Sequence, residues 1–257
     1  MLIALCLLLG LAVGSFLNVV VHRIPRGESV VRPPSACPAC QHPIRPRDNV
    51  PVLGWMLLRG RCRDCNEPIS VRYPLVEAAT AGLFAVMAAR FGYDPALPAY
   101  LYLAAVGLAL ALIDIDVQRL PDALTLPSYA VVGVLLTVAA VVGDEQGALL
   151  RALVGALALG LLYFVIWFAY PAGMGFGDVK LAPVLGACLG WIGYGALAVG
   201  GFLAFVYGGL FGAGLVLFKE GGRKTKVAFG PFMIAAAFTA ILIGQQIADA
   251  YLDLALG

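Results

Sequence analysis

The 257-residue chain is 61% hydrophobic and 12% charged, with a formal net charge of +2. Soluble domains carry about twice that charged fraction, so the composition excludes an ordinary water-soluble globule and offers no surface for nucleic acid. Several continuous apolar runs exceed the roughly 20 residues that cross a bilayer as a helix.

These runs do not alternate, which favours helices over a barrel. They predict an all-α polytopic membrane protein of about eight transmembrane helices. The spans fall near 2–22, 74–92, 95–114, 123–143, 147–170, 180–193, 195–218 and 228–252. Pro183, Gly190 and Gly193 blur the boundary between the sixth and seventh. No internal repeat or low-complexity tract is evident. The first run lacks the basic segment that precedes a secretory signal, so it is expected to stay as a membrane helix. With the N-terminus outside, the inner segments receive every Lys and Arg except Arg90 and Arg151, including Arg119, Lys180, Lys219, Arg223, Lys224 and Lys226. Cations flank the inner side of membrane spans, so the chain is predicted N-out and C-out.

After the first span comes a hydrophilic stretch from about Pro25 to Tyr73, on the side predicted to be cytoplasmic. It contains Cys37-Pro-Ala-Cys40 and Cys62-Arg-Asp-Cys65. Two C-x-x-C pairs suit a closed, structural zinc site of four thiolates. A disulfide reading would need an oxidising compartment. Cys6 and Cys188 lie in apolar runs and read as packing residues.

The third span ends in Asp114-Ile-Asp116, and Gly173-Met-Gly175-Phe-Gly177-Asp178-Val-Lys180 precedes the sixth. Ionisable groups at a membrane span are costly and point to function. Two aspartates sharing a proton can split a peptide bond, one as base and one as acid. Gly175 and Gly177 would leave room for an extended peptide beside Asp178. A transporter could use such a pair, and Asp178 could instead pair with Lys180 or cap a helix. On a continuous helix Asp114 and Asp116 point about 200° apart, so only one should reach Asp178.

The chain resembles the type IV prepilin peptidases, the GxGD class of bacterial aspartyl proteases. The matching segments run in order: Gly14-Ser-Phe-Leu-Asn18 through Arg23-Ile-Pro25, the two cysteine pairs, Asn49-Val-Pro51-Val-Leu-Gly-Trp55 and Tyr73-Pro-Leu-Val-Glu77. They continue with Asp114, Leu120-Pro121-Asp122, Gly175-Phe-Gly177-Asp178 and Phe229-Gly230-Pro231-Phe232. The resemblance implies Asp114 and Asp178 as the catalytic pair, with Gly175 and Gly177 supporting the active-site loop and Cys37, Cys40, Cys62 and Cys65 binding zinc. It implies cleavage of prepilin or pseudopilin leaders at the inner membrane of a bacterium, with the active site facing the cytoplasm. Methylation of the new N-terminus from S-adenosylmethionine is implied by resemblance only, since no dinucleotide-type glycine loop is present. A peptidase-only member is the alternative. The division expected is a first transmembrane helix at 1–24, a four-cysteine zinc segment at 25–73 and an intramembrane peptidase core at 74–257.

Overall fold

Helix α1 (Leu2–Arg23) opens the computed structural model, which describes residues 1–171, 173–217 and 228–256. Two compact units divide the chain: Met1–Tyr93 with Leu101–Ala109, and Asp94–Tyr100 with Leu110–Gly257.

In the first unit α1 runs into a short 3-10 turn at Ile24–Arg26, closed by Gly27 at φ +70°. A second such turn at Pro46–Asp48 and the five-residue α2 (Leu53–Leu57) lead to α3 (Arg72–Phe91). Gly10 and Gly14 let α1 and α3 meet at backbone distance. A Cβ on Gly10 would sit 2.7 Å from Ala81 Cα, and one on Gly14 2.7 Å from Glu77 Cα. Lipid supplies no hydrophobic drive between two spans, so this close approach is what holds them together. At the Arg23 end of the pair, Asn18 Nδ2 donates to the Tyr73 carbonyl at 3.2 Å.

The second unit holds α4 (Leu97–Val117) in part, then α5 (Asp122–Gly143), α6 (Gln146–Ala169), α7 (Phe176–Ile192), α8 (Tyr194–Leu217) and α9 (Gly230–Leu256). Helix α7 is central and packs on α5, α6, α8 and α9. Against α6 it uses glycine: a Cβ on Gly155 would run into the Gly186 carbonyl, and one on Gly190 would lie 3.2 Å from Gly155 Cα. Buried Tyr100 donates its hydroxyl to the Cys188 carbonyl at 2.8 Å.

Every expected span finds a helix. Among the described residues, seven helices are long and apolar enough to cross a membrane. Helix α7 is the shortest of the long ones, at 17 residues, and it begins earlier than expected. Gly175, extended at φ −72° and ψ 141°, starts it at Phe176 and so brings Asp178 into its first turn. Lys219, Arg223, Lys224 and Lys226 lie outside the described residues.

Candidate active site and metal centre

Asp114 stands in the last turn of α4 and Asp178 in the first turn of α7, each 5% exposed. The α4 helix closes directly after Asp114. Gln118, in the left-handed region at φ 51°, donates its amide to the Asp114 carbonyl at 2.8 Å. The Asp178 amide donates to the Gly175 carbonyl at 3.1 Å, which fixes the first turn of α7. The negative charge of Asp114 acts directly on Asp178. Asp116 is exposed, as the 200° offset between the two positions requires.

Lys180 does not take the role of counter-ion to Asp178. Its ammonium pairs with Asp122 at the start of α5, and its carbonyl accepts the Tyr129 hydroxyl at 2.6 Å. Asp114 and Asp178 are thus two buried carboxylates from different helices, near enough for the charge of one to act on the other.

Three neighbours escaped sequence reasoning as site residues. The Gly230 amide, at the N-terminus of α9, donates to Asp114 Oδ2 at 3.1 Å. A Cβ there would lie 2.7 Å from the same oxygen. Leu120, buried, fills the space beside both glycines: a Cβ on Gly177 would stand 2.9 Å from its Cβ, and one on Gly230 3.4 Å from its Cδ2. Tyr163, 1% exposed, feels the charge of Asp178 and packs against Phe205 and Phe229 with ring centroids at 5.6 and 6.3 Å. Phe229-Gly230 was legible as a motif, but nothing in it signalled a backbone donor to Asp114.

The four loop cysteines place their sulfurs within 4.8 Å of one another, and none is in a disulfide. Cys37 Sγ and Cys65 Sγ are 3.8 Å apart, the edge of a tetrahedron built on metal–sulfur bonds of about 2.3 Å. The set fits a metal ion. The amides of Cys40 and Ala39 hold the Cys37 thiol down to about 7, whereas burial and the neighbouring sulfurs push Cys40 up and Cys65 up to about 12.

Each pair sits on the same turn. The Cys37 amide donates to the His42 carbonyl and the Gln41 amide returns to the Cys37 carbonyl. Likewise the Cys62 amide donates to the Glu67 carbonyl and the Asn66 amide returns to the Cys62 carbonyl. Gln41 and Asn66 both have φ 60°, and bridges join Ala36 to Pro43 and Arg61 to Pro68. The loop thus contains a repeat, Cys-x-x-Cys-Gln-His-Pro-Ile and Cys-x-x-Cys-Asn-Glu-Pro-Ile, where none was expected. Ion pairs Arg45–Asp64 at 3.0 Å and Arg63–Asp48 at 2.6 Å tie the second turn to the Pro46–Asp48 segment. Arg63 holds the Asp48 carboxyl below its ordinary value.

Comparison with known proteins agrees with this arrangement. The Bacterial Peptidase A24 N-terminal domain matches residues 8–91, and the Type IV leader peptidase family matches residues 101–244. The chain belongs to the type IV leader peptidase family. A prepilin leader peptidase/N-methyltransferase of Aeromonas hydrophila is 38% identical over 97% of this chain and 93% of its own length. One of Pseudomonas aeruginosa is 36% identical over 97% and 93%. One of Klebsiella pneumoniae is 43% identical over 71% of this chain and 82% of its own length. No solved structure matches the chain. Family members of this kind are enzymes, and the two family segments divide near the Tyr93–Leu101 connection.

Proposed function

We propose that this protein removes the leader from type IV prepilins or pseudopilins with Asp114 and Asp178, and then methylates the new N-terminus. The observation that carries the reading is the buried aspartate pair contributed by α4 and α7. One carboxylate, ionised, takes a proton from water as its oxygen bonds to the scissile carbonyl carbon. The other, protonated, gives its proton to the leaving amine as the carbon–nitrogen bond breaks. The leader departs with a carboxyl group, and the mature chain keeps a free amine. The Gly230 amide fixes Asp114, while Gly175 and Gly177 keep side-chain bulk away from Asp178 and Leu120.

The distribution of Lys and Arg supports a site on the cytoplasmic face of a bacterial inner membrane. Cys37, Cys40, Cys62 and Cys65 would hold a structural zinc ion, since four thiolates complete a tetrahedron. S-adenosylmethionine, when bound, supplies an electrophilic methyl group to the free amine, which sheds one proton to water. Incubation of the purified protein with a prepilin and the methyl donor, followed by mass measurement, tests the whole reading. Leader loss plus one methyl is the expected product. An unchanged prepilin mass would sink it.

A further inference from the structure

The Pro25–Tyr73 stretch reads as hydrophilic, yet α2 within it carries its large apolar side chains outward. Leu53, Met56 and Leu57 fall within about 100° of one another around a helix, and they are 57%, 59% and 79% exposed. The other side of α2 is occupied. Gly54 is buried, and a Cβ there would run into the Asp48 carbonyl. The Trp55 indole N–H donates to the Ile69 carbonyl at 3.0 Å, and its ring stands 2.8 Å from where a Cβ on Gly60 would sit. We propose that α2 lies in the interfacial layer of the bilayer, on the side where α1 ends at Arg23, with Leu53, Met56 and Leu57 among the acyl chains.

Three observations support this placement. The first is depth. Helices α1 and α3 are long and apolar enough to cross a membrane, and α2 is tied to the flank of this pair rather than held beyond its ends. The Val52 amide, immediately before α2, donates to Glu77 Oε2 at 2.6 Å. Glu77 stands five residues into α3, about 7.5 Å along the axis from Arg72. A Cβ on Gly14 would be 2.7 Å from Glu77 Cα, and Gly14 is nine residues, or about 14 Å, inward of Arg23 on α1. Val52 itself is held at φ 60° and ψ −52°, a region that β-branched residues enter only under constraint. The bond to Glu77 is such a constraint.

The second observation is charge. Between Val50 and Arg63 the chain carries Arg59, Arg61 and Arg63 and no acid. Arg63 is engaged by Asp48, while Arg59 and Arg61 are exposed directly after the apolar turn. Their stems can lie over apolar surface while the guanidinium groups reach the phosphates that every phospholipid carries. Apolar side chains on one face with arginines at the edge are the composition of a helix that lies on a membrane. The third observation is the size of the exposed surface. An isolated exposed leucine is ordinary, but three large apolar side chains on one five-residue helix form a patch of the kind that meets a membrane or a partner. Two membrane helices place the bilayer beside it. Trp55 and Gly60 join α2 to the second cysteine turn, so an anchored α2 also holds the four-cysteine site near the membrane surface.

The test uses the full-length protein in vesicles of zwitterionic phosphatidylcholine, a fraction of it bearing a photoactivatable diazirine in the acyl chain. After irradiation and peptide mapping, label on the exposed Leu5 and Leu8 of α1 reports the lipid-facing surface of a span. The peptide holding residues 53–58 should be labelled as well, and the peptide holding residues 61–68 should not. Label on α1 with none on 53–58 overturns the anchor. A second readout places a fluorescent amino acid at Leu57 or, as the reference, at exposed Glu67, with thermal unfolding and metal content reporting on the fold. Lipids brominated in the acyl chain should remove most of the emission from position 57 and leave that from position 67 unchanged. Emission that survives equally at both positions puts α2 in water and overturns the proposal. If position 57 is shielded only after a prepilin is added, this face docks a protein and the anchor fails.

Discussion

An asparagine at 114 or 178 keeps the shape of the buried carboxylate but can neither hold the shared proton nor accept one. Asp114→Asn and Asp178→Asn should each lower leader cleavage by about 100-fold or more, measured as the turnover of a purified prepilin. Asp116 is exposed two residues along the same helix, and Asp116→Asn should retain most of the activity. The reverse pattern, with Asp116→Asn inactive and Asp114→Asn normal, would reassign the pair. Gly230 offers a subtler probe, because its contribution is a backbone amide that any residue possesses. What alanine adds is a methyl group 2.7 Å from Asp114 Oδ2. Displacing that oxygen by even about 1 Å should cost on the order of 100-fold in turnover. Gly230→Ala should therefore lower kcat while leaving KM nearly unchanged. A fully active Gly230→Ala protein would remove the amide from the account of the site.

At the scale of elements, the α6–α7 contact carries the second unit's most demanding packing. Gly155→Val would drive a branched side chain into the Gly186 carbonyl, and overpacking of this kind costs about 1–3 kcal/mol or more. Thermal unfolding of the purified variant should drop by several degrees, whereas Gly209→Ala, with open space around its Cβ position, should leave it unchanged. In the loop, Cys37→Ser or Cys62→Ser should abolish the roughly one metal ion per chain expected of a four-thiolate site, measured by elemental analysis. A wild-type protein that is metal-free and still folded would count against the zinc reading.

Helices α1, α3, α4, α5, α6, α8 and α9 were legible in the sequence because continuous apolar runs of bilayer length permit little else. The start of α7 was not, because Asp178 and Lys180 interrupt the hydropathy where the helix has already begun. The repeated metal turn was also missed. The C-x-x-C spacing drew attention to the sulfurs, while the repeat also includes the left-handed Gln41 and Asn66 and the Pro-Ile pairs that follow them. The Gly230 contact joins residues 116 positions apart through a main-chain amide, and side-chain chemistry read along the sequence gives no sign of it.

On the scale of the whole molecule, α7 decides the side of the membrane on which α9 ends. At 17 residues the helix is about 25 Å long, short of the roughly 30 Å hydrocarbon core. A span exposed to lipid would pay for that mismatch by thinning the bilayer around it. Helix α7 has other helices on four sides instead of lipid, and Val179, Leu181, Ala182, Val184, Leu185, Cys188, Leu189 and Trp191 are all buried. Its ends therefore need only reach the boundary of a protein-lined core. Its N-terminal end carries Asp178, near Asp114 at the end of α4, and the proposed topology has both on the cytoplasmic side. From there α7 must cross outward for α8 to return and α9 to leave again. A periplasm-active reporter such as alkaline phosphatase, fused after Leu256, should accordingly be active. The same reporter fused after Gly27, on the Arg-rich side of α1, should be inactive. An inactive C-terminal fusion with stable expression would mean that α7 does not cross, leaving seven spans and requiring Asp178 to approach Asp114 from a re-entrant segment.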